Sequence, residues 1–413
     1  MRTSRLWERQ LVRRIWEAVG RPSIQIELWD GDVCGADRAV GRIIIREPKT
    51  LRRLLWNPSL AFGEGFATGR IEIAGPLIEV LTALFRGQWE TTKGGPGQKT
   101  WTGRLFRRRG HSLTESQSSV HHHYDLGNDF YKLWLDEQLV YTCAYYQQPE
   151  LSLAHAQVAK FDHICRKLRL KPGDRVVEAG CGWGAFALHM ARNYGVKVRA
   201  YNISREQLAY ARERARREQL DAQVEFVEAD YRQIDGEYDV FVSVGMLEHV
   251  GVEQYPALGS VINRVLTEHG RGLIHTIGRN VARPLDDWTD RYIFPGAEPP
   301  SLKQMMDVFE PHGMSVLDVE NLRLHYAETC RVWLNRFDDH AAKVAEMFDE
   351  QFVRMWRFYL AASSATFLSG FLQLFQVQFA RAVDNTIPWT RDDVYRQAQR
   401  RSVHDSLSAL AHN

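Results

Sequence analysis

Cysteine is scarce in this chain, and its spacing excludes two common uses of the residue. The 413 residues include five cysteines, which are scattered and contain no Cys-x-x-Cys pair. A disulfide framework needs paired cysteines in an oxidising compartment, and a structural zinc site needs ligands at short, regular spacing. The pattern therefore predicts a reducing compartment, with neither a disulfide scaffold nor a metal site.

The sequence also lacks a signal peptide, a strong net charge and a convincing membrane span. The first residues, MRTSRLWERQLVRR, are charged every few positions and contain no apolar signal core. The longest uncharged stretch, 358–380, carries seven Ser, Thr and Gln side chains, which favours a buried helix over a span. A net charge of +2 gives no sign of a nucleic-acid partner. We therefore expect a cytoplasmic protein that is soluble or peripheral to a membrane.

Composition divides the chain into three segments. Residues 1–90 begin with a basic amphipathic helix over 3–20 and continue with short β-like runs, which predict a small α+β domain. Residues 91–112 are rich in Gly, Lys and Arg and contain no acid, as in a basic linker. In residues 113–413, near-continuous apolar strands alternate with helices. This alternation predicts an α/β domain with a parallel sheet that helices cover on both faces.

A glycine-rich turn follows the first strand of that α/β domain, in Glu178-Ala-Gly180-Cys-Gly182-Trp-Gly184. Glycines at this position let the backbone pack closely against a nucleotide-like ligand at the carboxyl edge of the sheet. The GxGxG spacing favours an S-adenosylmethionine pocket over a dinucleotide pocket. A tight turn without a ligand is the alternative interpretation.

The ends of the next two strands offer polar groups to the rest of such a ligand. The second strand ends without a carboxylate, so Asn202, Ser204 and Gln207 are candidates for hydrogen bonds to a ribose. The third strand ends in Asp230-Tyr231, where the acid can accept a hydrogen bond from an adenine amino group beside the tyrosine ring. A helix N-cap is the alternative role for Asp230.

Histidine and cysteine raise two further hypotheses. The histidines at 121–123 are adjacent, and adjacent side chains do not converge easily on one metal ion, so a structural or lid role is favoured. Cys143 is either an activated nucleophile or a buried small hydrophobe. The second is favoured because no helix N-terminus or fixed cation is evident beside it.

Eight motifs carry a family resemblance over residues 110–380. In chain order they are HYDLGNDFYKLWLD, YTCAYY, EAGCGWGAFA, SREQ, ADYR, MLEHVG, IHTIG and HYAETCRVW. With them the chain resembles the cyclopropane fatty acid synthase family, which includes the mycolic acid cyclopropane synthases and related fatty acid methyltransferases. GEGFATG in residues 63–69 resembles the small N-terminal domain of its two-domain bacterial members. The resemblance implies a Rossmann-like class I methyltransferase with helical insertions at an acyl site.

The resemblance also assigns site residues. It implies that S-adenosylmethionine is bound by Tyr141, Thr142, Gly180, Gly182, Asn202, Ile203, Ser204, Gln207, Tyr231 and Arg232. The ends of the strands add Gly184 and Asp230 to these candidates. It implies a bicarbonate ion in a catalytic cluster formed by Cys143, Glu248, His275, Tyr326 and the backbone of Ile277. Thr142 stands where the family usually has Ser, Asn202 where Thr is commoner, and Ser363 where many members have Cys.

The reaction that the resemblance implies is methylene addition across a cis double bond of a phospholipid acyl chain. An alkene is a poor nucleophile, so it must be held in line with the sulfonium methyl group in a dry pocket. Bicarbonate then acts as the base, and the ring faces of Tyr145, Phe367 and Phe371 can stabilise the cation. Phe367, Phe371, Phe375 and Phe379 recur every four positions, which fits either a core-facing helix stripe or an acyl tunnel.

Three rival functions stay open. The same cation can end as a methyl-branched or methylated unsaturated chain. A small-molecule O- or N-methyltransferase would have no use for the anion cluster, and a non-catalytic lipid-binding module would not need the glycine loop. The basic N-terminal helix and linker either dock on an anionic membrane or are ordinary surface. A homodimer is implied by the resemblance alone.

Overall fold

The computed structural model describes residues 3–92 and 126–395, apart from the side chains of residues 89–92. All but the first two residues of the predicted linker 91–112 lie outside the described residues, as do the histidines at 121–123. The elements are numbered below in chain order within the described residues.

Four short strands and four helices form the N-terminal unit. They are α1 (Leu6–Ala18), β1 (Gln25–Glu27), β2 (Val33–Gly35), β3 (Arg42–Ile45), α2 (Pro48–Trp56), α3 (Pro58–Ala67), β4 (Ile71–Ala74) and α4 (Leu77–Thr92). The sheet order is β2-β1-β3-β4, with β1 and β3 parallel and the other pairs antiparallel. Proline in the first turn of α2 and of α3 favours a helix start at each. The unit has the α+β character that the sequence predicts.

Seven strands form the second sheet, in the order β10-β11-β9-β8-β5-β6-β7. They are β5 (Arg175–Ala179), β6 (Lys197–Asn202), β7 (Val224–Glu228), β8 (Tyr238–Val244), β9 (Leu266–Gly278), β10 (Met314–Asn321) and β11 (Gln373–Arg381). Neighbouring strands are parallel from β7 to β9, whereas β11 runs antiparallel to both β9 and β10. The predicted Rossmann-like sheet is confirmed, with one reversed strand that the sequence pattern does not indicate.

Helices cover both faces of this sheet. They are α5 (Asn128–Trp134), α6 (Leu153–Lys167), α7 (Ala185–Tyr194), α8 (Arg205–Arg217), α9 (Tyr255–Val265), α10 (Asp287–Tyr292), α11 (Leu302–Phe309), α12 (Arg323–Asp339), α13 (Ala341–Met347) and α14 (Glu350–Ser369). Val176 packs with α6, α7 and α8, and Val177 packs with α9 and α11. Adjacent strand residues serve opposite cores because side chains alternate across a strand.

A third, aromatic core joins the N-terminal unit to the C-terminal helices. The ring of Phe66 on α3 lies 5.2 Å from that of Phe358 on α14, and the ring of Trp288 lies 4.9 Å from Phe358. The guanidinium of Arg354 donates to the backbone oxygen of Phe66 at 2.8 Å. A Cβ on Gly63 would lie 2.3 Å from the indole of Trp288, so only glycine fits there. The N-terminal unit is thus packed directly on α10 and α14.

The stretch 358–380 is not one helix, which corrects the sequence-based prediction. Helix α14 ends in a left-handed turn at Gly370, with φ of 82°, and β11 follows it. Phe367 lies on the helix, whereas Phe375 and Phe379 lie on the strand and pack in a sheet core. A short apolar run has the same composition in a buried helix and in a buried strand, so the spacing of its phenylalanines does not distinguish the two. Within the described residues, no helix is long and apolar enough to cross a membrane.

Candidate active site

The glycine-rich turn between β5 and α7 forms the floor of the site. Gly180, Gly182 and Gly184 have φ values of 85°, 53° and 80°, in the left-handed region that favours glycine. A Cβ on Gly182 would meet no atom within 4 Å, whereas one on Gly184 would lie 2.6 Å from the ring of Phe226. Gly182 therefore borders open space, as a ligand loop requires. Gly184 instead lets α7 pack closely on the sheet.

Asn202 organises the turn at the end of β6. Its Nδ2 donates to the backbone oxygen of Gly182 at 3.2 Å and to Oε1 of Gln207 at 2.8 Å. Its Oδ1 accepts hydrogen bonds from the backbone N–H groups of Ile203 and Ser204. Ser204 also caps α8 by accepting from the backbone N–H of Gln207. Asn202 therefore links the two loops that were expected to bind the cofactor.

The end of β7 places three predicted residues beside one another. Asp230 caps a 3-10 turn and accepts from the backbone N–H of Arg232 at 3.0 Å. The guanidinium of Arg232 lies over the ring of Tyr231, 5.1 Å from its centroid. All three residues also line the central cavity. The N-cap role considered for Asp230 is present, and its position at the cavity keeps the adenine role available.

Two helices hold the lid residues Tyr141 and Thr142. On α6, Gln157 Nε2 donates to the backbone oxygen of Thr142 at 2.9 Å, and Lys160 Nζ donates to its Oγ1 at 2.8 Å. The phenol of Tyr141 hydrogen-bonds to that of Tyr359 on α14 at 2.6 Å. The lid is therefore fixed from both sides, and the methyl group of Thr142 lies beside Gly245, directly after β8.

Two buried charged groups, Lys160 and Glu178, border the cavity below the lid. Lys160 is 1% exposed and Glu178 is 2% exposed. Burial lowers the pKa of Lys160 to about 8 and raises the pKa of Glu178 to about 8. Neither residue was assigned a role from the sequence, and a lysine in an amphipathic helix usually faces solvent. Only the packing of α6 on the sheet shows that Lys160 faces inward.

Glu248 is held by two donors on β9. Its Oε2 accepts from the hydroxyl of Thr276 at 2.6 Å, and its Oε1 accepts from the backbone N–H of Ile277 at 3.4 Å. Burial raises the pKa of Glu248, which favours the protonated carboxyl. Thr276 belongs to the IHTIG motif, so the sequence contained a signal for this positioning residue, although it was not singled out.

Tyr326 and Ile277 lie with Glu248 along the cavity wall. The ring of Tyr326, on α12, stacks on Phe367 with centroids 4.6 Å apart. Burial raises the pKa of the Tyr326 phenol, so this group stays a hydrogen-bond donor at physiological pH. Three of the five residues predicted for the anion cluster therefore share one surface.

Cys143 and His275 are fully buried, and neither is among the residues that line the cavity. The thiol of Cys143 donates to the backbone oxygen of Ala144 at 3.1 Å, and burial raises its pKa, which disfavours a nucleophilic role. The Nδ1 of His275 lies 3.2 Å from Nε2 of Gln376, and its Nε2 has no partner among the described residues. Burial lowers the pKa of His275, so the ring is neutral.

One continuous cavity of about 3300 Å³ connects these groups. Ligand pockets commonly measure roughly 300–1,000 Å³, so this volume exceeds the need of one cofactor. Beyond Glu248 and Tyr326 its wall is largely apolar, with contributions from both units of the chain. These contributions include Leu54, Phe62, Phe85, Phe358, Phe367, Phe371 and Leu372. The polar loops therefore open directly into an aromatic channel.

Comparisons with known proteins agree with this arrangement. A family model described as mycolic acid cyclopropane synthetase matches residues 111–377, and one described as a domain of unknown function matches residues 12–93. A probable fatty acid methyltransferase of Pseudomonas putida is 35% identical over 393 residues, covering 90% of this chain and 96% of that protein. Cyclopropane-fatty-acyl-phospholipid synthase of Escherichia coli (strain K12) is 37% identical over 350 residues, covering 83% and 88%.

A solved structure of a similar protein has the same fold. Mycolic acid cyclopropane synthase CmaA1, complexed with SAH and CTAB, matches with a TM-score of 0.61 and 28% sequence identity. The match covers 64% of this chain and 98% of that chain. The class I methyltransferase fold predicted from the sequence is confirmed.

Proposed function

This chain belongs to the mycolic acid cyclopropane synthetase family, and we propose that it adds a methylene group across a cis double bond of phospholipid acyl chains. It is an S-adenosylmethionine-dependent methyltransferase of the type that modifies fatty acids. The product we propose is a cyclopropane ring, and a methyl-branched chain is the second candidate.

The continuous cavity carries this proposal. Its lining includes Gly182, the pair Glu248 and Tyr326, and the aromatic side chains of Phe62 and Phe367. A polar acceptor would need polar groups around its position, whereas an acyl chain is held by apolar surface. A glycine loop and a large aromatic surface in one cavity suit a methyl donor together with a hydrocarbon chain.

The residues of the glycine loop fit the cofactor. Gly182 leaves space where any other residue would place a side chain, and the buried Oε2 of Glu178 has no partner among the described residues. Bound there, S-adenosylmethionine supplies an electrophilic methyl group on a sulfonium. The lid residues Tyr141 and Thr142 close over this loop and exclude water, which would otherwise compete with a weakly nucleophilic double bond.

The chain's own residues then control a proton. When the double bond takes the methyl group, the carbon–sulfur bond breaks, and a positive charge is left on the acyl chain. Loss of a proton from the new methyl group then closes the ring, because the electron pair of the broken carbon–hydrogen bond forms the new carbon–carbon bond to the cationic carbon. Tyr326 and the N–H of Ile277 can donate to a small anion, and Glu248 can take up the proton because burial favours its protonated form.

A bicarbonate ion fits this wall and would supply the base. Its oxygens would accept from Tyr326 and from the N–H of Ile277, while Glu248 would accept from its hydroxyl. The Nε2 of His275 is buried without a partner among the described residues, and because His275 does not line the cavity, it could reach such an ion only after a local shift. We therefore place Cys143 and His275 as supporting residues of the site and Glu248, Ile277 and Tyr326 as its contacts.

The rim of the cavity suits a membrane surface. Trp56 is 76% exposed and Val281 is 51% exposed, and both border the opening. Arg52 and Arg53 are exposed on the same helix, α2, and Arg283 also borders the opening. An aromatic and apolar rim with cations beside it is typical of binding to anionic lipid. We propose that the protein acts in the cytoplasm, peripheral to the membrane, and a homodimer stays a prediction.

Isotope labelling tests the reaction. Cells that express the protein are supplied with methyl-deuterated methionine, and their total fatty acids are measured by mass spectrometry. A gain of one carbon that retains two deuteriums supports the cyclopropane, because the lost proton came from the new methyl group. Three retained deuteriums would indicate a methyl-branched product and contradict the cyclopropane. The glycine-loop variant Gly182→Ala is the negative control. If the wild-type protein gives no labelled lipid either, the proposal of a lipid acceptor is refuted.

A further inference from the structure

Lys160 lies where a lysine side chain is costly. It is 1% exposed on α6, and its ammonium donates to Thr142 Oγ1 and lies 4.4 Å from the centroid of the Phe161 ring. Among the described residues, no carboxylate oxygen lies within 4.0 Å of the Lys160 ammonium. An ammonium has three protons to donate, and a buried charge without a counterion is expensive.

Glu178 presents an acidic group in the same cavity. It lies at the end of β5, directly before the glycine loop, and is 2% exposed. No hydrogen bond from a described residue reaches its carboxylate, and its Oε2 is buried without a partner. The two groups influence each other electrostatically but do not touch. A ligand that carries a carboxylate and an ammonium would give each of these two buried groups a partner.

The cofactor of the proposed function has such an end. Its adenosine is expected at Asn202, Gln207 and Asp230, on the ends of β6 and β7. Its methionyl end carries an α-carboxylate and an α-ammonium and must reach back toward β5 and the lid. We propose that Lys160 binds the α-carboxylate of S-adenosylmethionine, with Glu178 facing the α-ammonium.

This site sets the position of the reacting group. The two charges hold the methionyl chain at one end and the adenosine loops hold the other, so the sulfonium between them is fixed relative to Glu248 and Tyr326. Lys160 also holds the hydroxyl of Thr142. Carboxylate binding by Lys160 would therefore couple cofactor binding to the lid. Lys160 acts as a binding and positioning residue and takes no part in the proton transfer.

Isothermal titration calorimetry with paired ligands tests this inference, which rests on the cofactor of the proposed function. The probes are S-adenosylmethionine, its decarboxylated form and 5′-methylthioadenosine, which lacks both charged groups. Wild-type protein should bind S-adenosylmethionine about tenfold to a hundredfold more tightly than the decarboxylated form. Lys160→Met should remove this preference, while both proteins bind 5′-methylthioadenosine equally.

Two results would overturn it. Equal affinity of the wild-type protein for the two charged probes would show that nothing recognises the carboxylate. A Lys160→Met protein that keeps the preference but binds every probe more weakly would show that Lys160 serves only Thr142 and the fold. If Lys160→Met melts at a much lower temperature than the wild-type protein, the same titrations are made with Lys160→Gln. The preference of the wild-type protein for S-adenosylmethionine over its decarboxylated form then still tests the inference. No binding of any probe to the wild-type protein would instead refute the cofactor assignment, and this inference with it.

Discussion

Lys160 and Glu178 have unusual protonation states before a ligand binds. Burial holds the pKa of both groups at about 8, so near neutral pH the lysine is mostly charged and the glutamic acid mostly neutral. A bound ammonium would lower the pKa of Glu178, and a bound carboxylate would raise the pKa of Lys160. Cofactor binding should therefore move protons, in a direction that depends on pH.

We expect net proton release on cofactor binding near pH 7 and net uptake near pH 9. At the lower pH the protonated Glu178 ionises, and at the higher pH the neutral Lys160 gains a proton. Calorimetry in buffers of different ionisation enthalpy measures both. Glu178→Gln should abolish the release and leave the uptake, and Lys160→Met should do the reverse. Proton exchange of the same sign at both pH values would contradict this assignment.

Thr276 positions the carboxyl of Glu248, which we propose takes part in catalysis. Because its hydroxyl donates to Glu248, Thr276→Val leaves that oxygen without its shortest hydrogen bond. We expect kcat to fall about tenfold to a hundredfold, with the affinity for S-adenosylmethionine unchanged. Thr366→Val is the matched control, since Thr366 also lines the cavity but donates to the backbone oxygen of Ser363. A large change in cofactor affinity with normal kcat would contradict this role.

At the scale of elements, the chain's strands and helices could be predicted where local pattern decides them. The strands from β5 to β9 carry apolar residues that pack in the cores on both faces of the sheet, and the turn after β5 needs glycine for its backbone geometry. The reversal of β11 could not be predicted, because strand direction depends on pairing with β9 and β10. The inward position of Lys160 could not be predicted either, because it depends on how α6 packs on the sheet.

The glycine loop allows a matched test of packing against ligand binding. Gly184→Ala places a Cβ against Phe226 in a left-handed conformation, so the free energy of unfolding should fall by about 2–4 kcal/mol. Gly182→Ala places its Cβ in open space and should cost only about 1 kcal/mol, the backbone part alone. Urea denaturation measures both. Cofactor affinity should fall for the Gly182 variant, and equal destabilisation of the two would refute the distinction.

At the scale of the whole molecule, the cavity opens beside α2 of the N-terminal unit. We propose that the substrate chain enters there, with the exposed Trp56 and the arginines Arg52 and Arg53 as the first contact with a lipid surface. Charge pairing with anionic lipid weakens as ionic strength rises, because salt screens exposed charges.

Replacing these three residues together, as Trp56→Ala with Arg52→Gln and Arg53→Gln, should lower partition onto anionic vesicles about tenfold to a hundredfold at low salt. Sedimentation with vesicles of anionic and neutral phospholipid measures the partition. Trp389→Ala is the control, because Trp389 is fully exposed and does not border the cavity. Equal loss of vesicle binding in both variants, or unchanged binding to anionic vesicles in the triple variant, would show that α2 is not the docking surface.

Two parts of the chain form the wall of the cavity, and we expect one to determine the chemistry and the other to help determine which hydrocarbon fits. The groups that handle the methyl donor and the proton all come from residues after 140, whereas Phe62 and Phe85 belong to the N-terminal unit. Exchange of the N-terminal unit between relatives would therefore alter which hydrocarbon fits without altering the chemistry performed on it. We expect relatives that act on different acyl chains to differ in the N-terminal unit and to share the reactive centre.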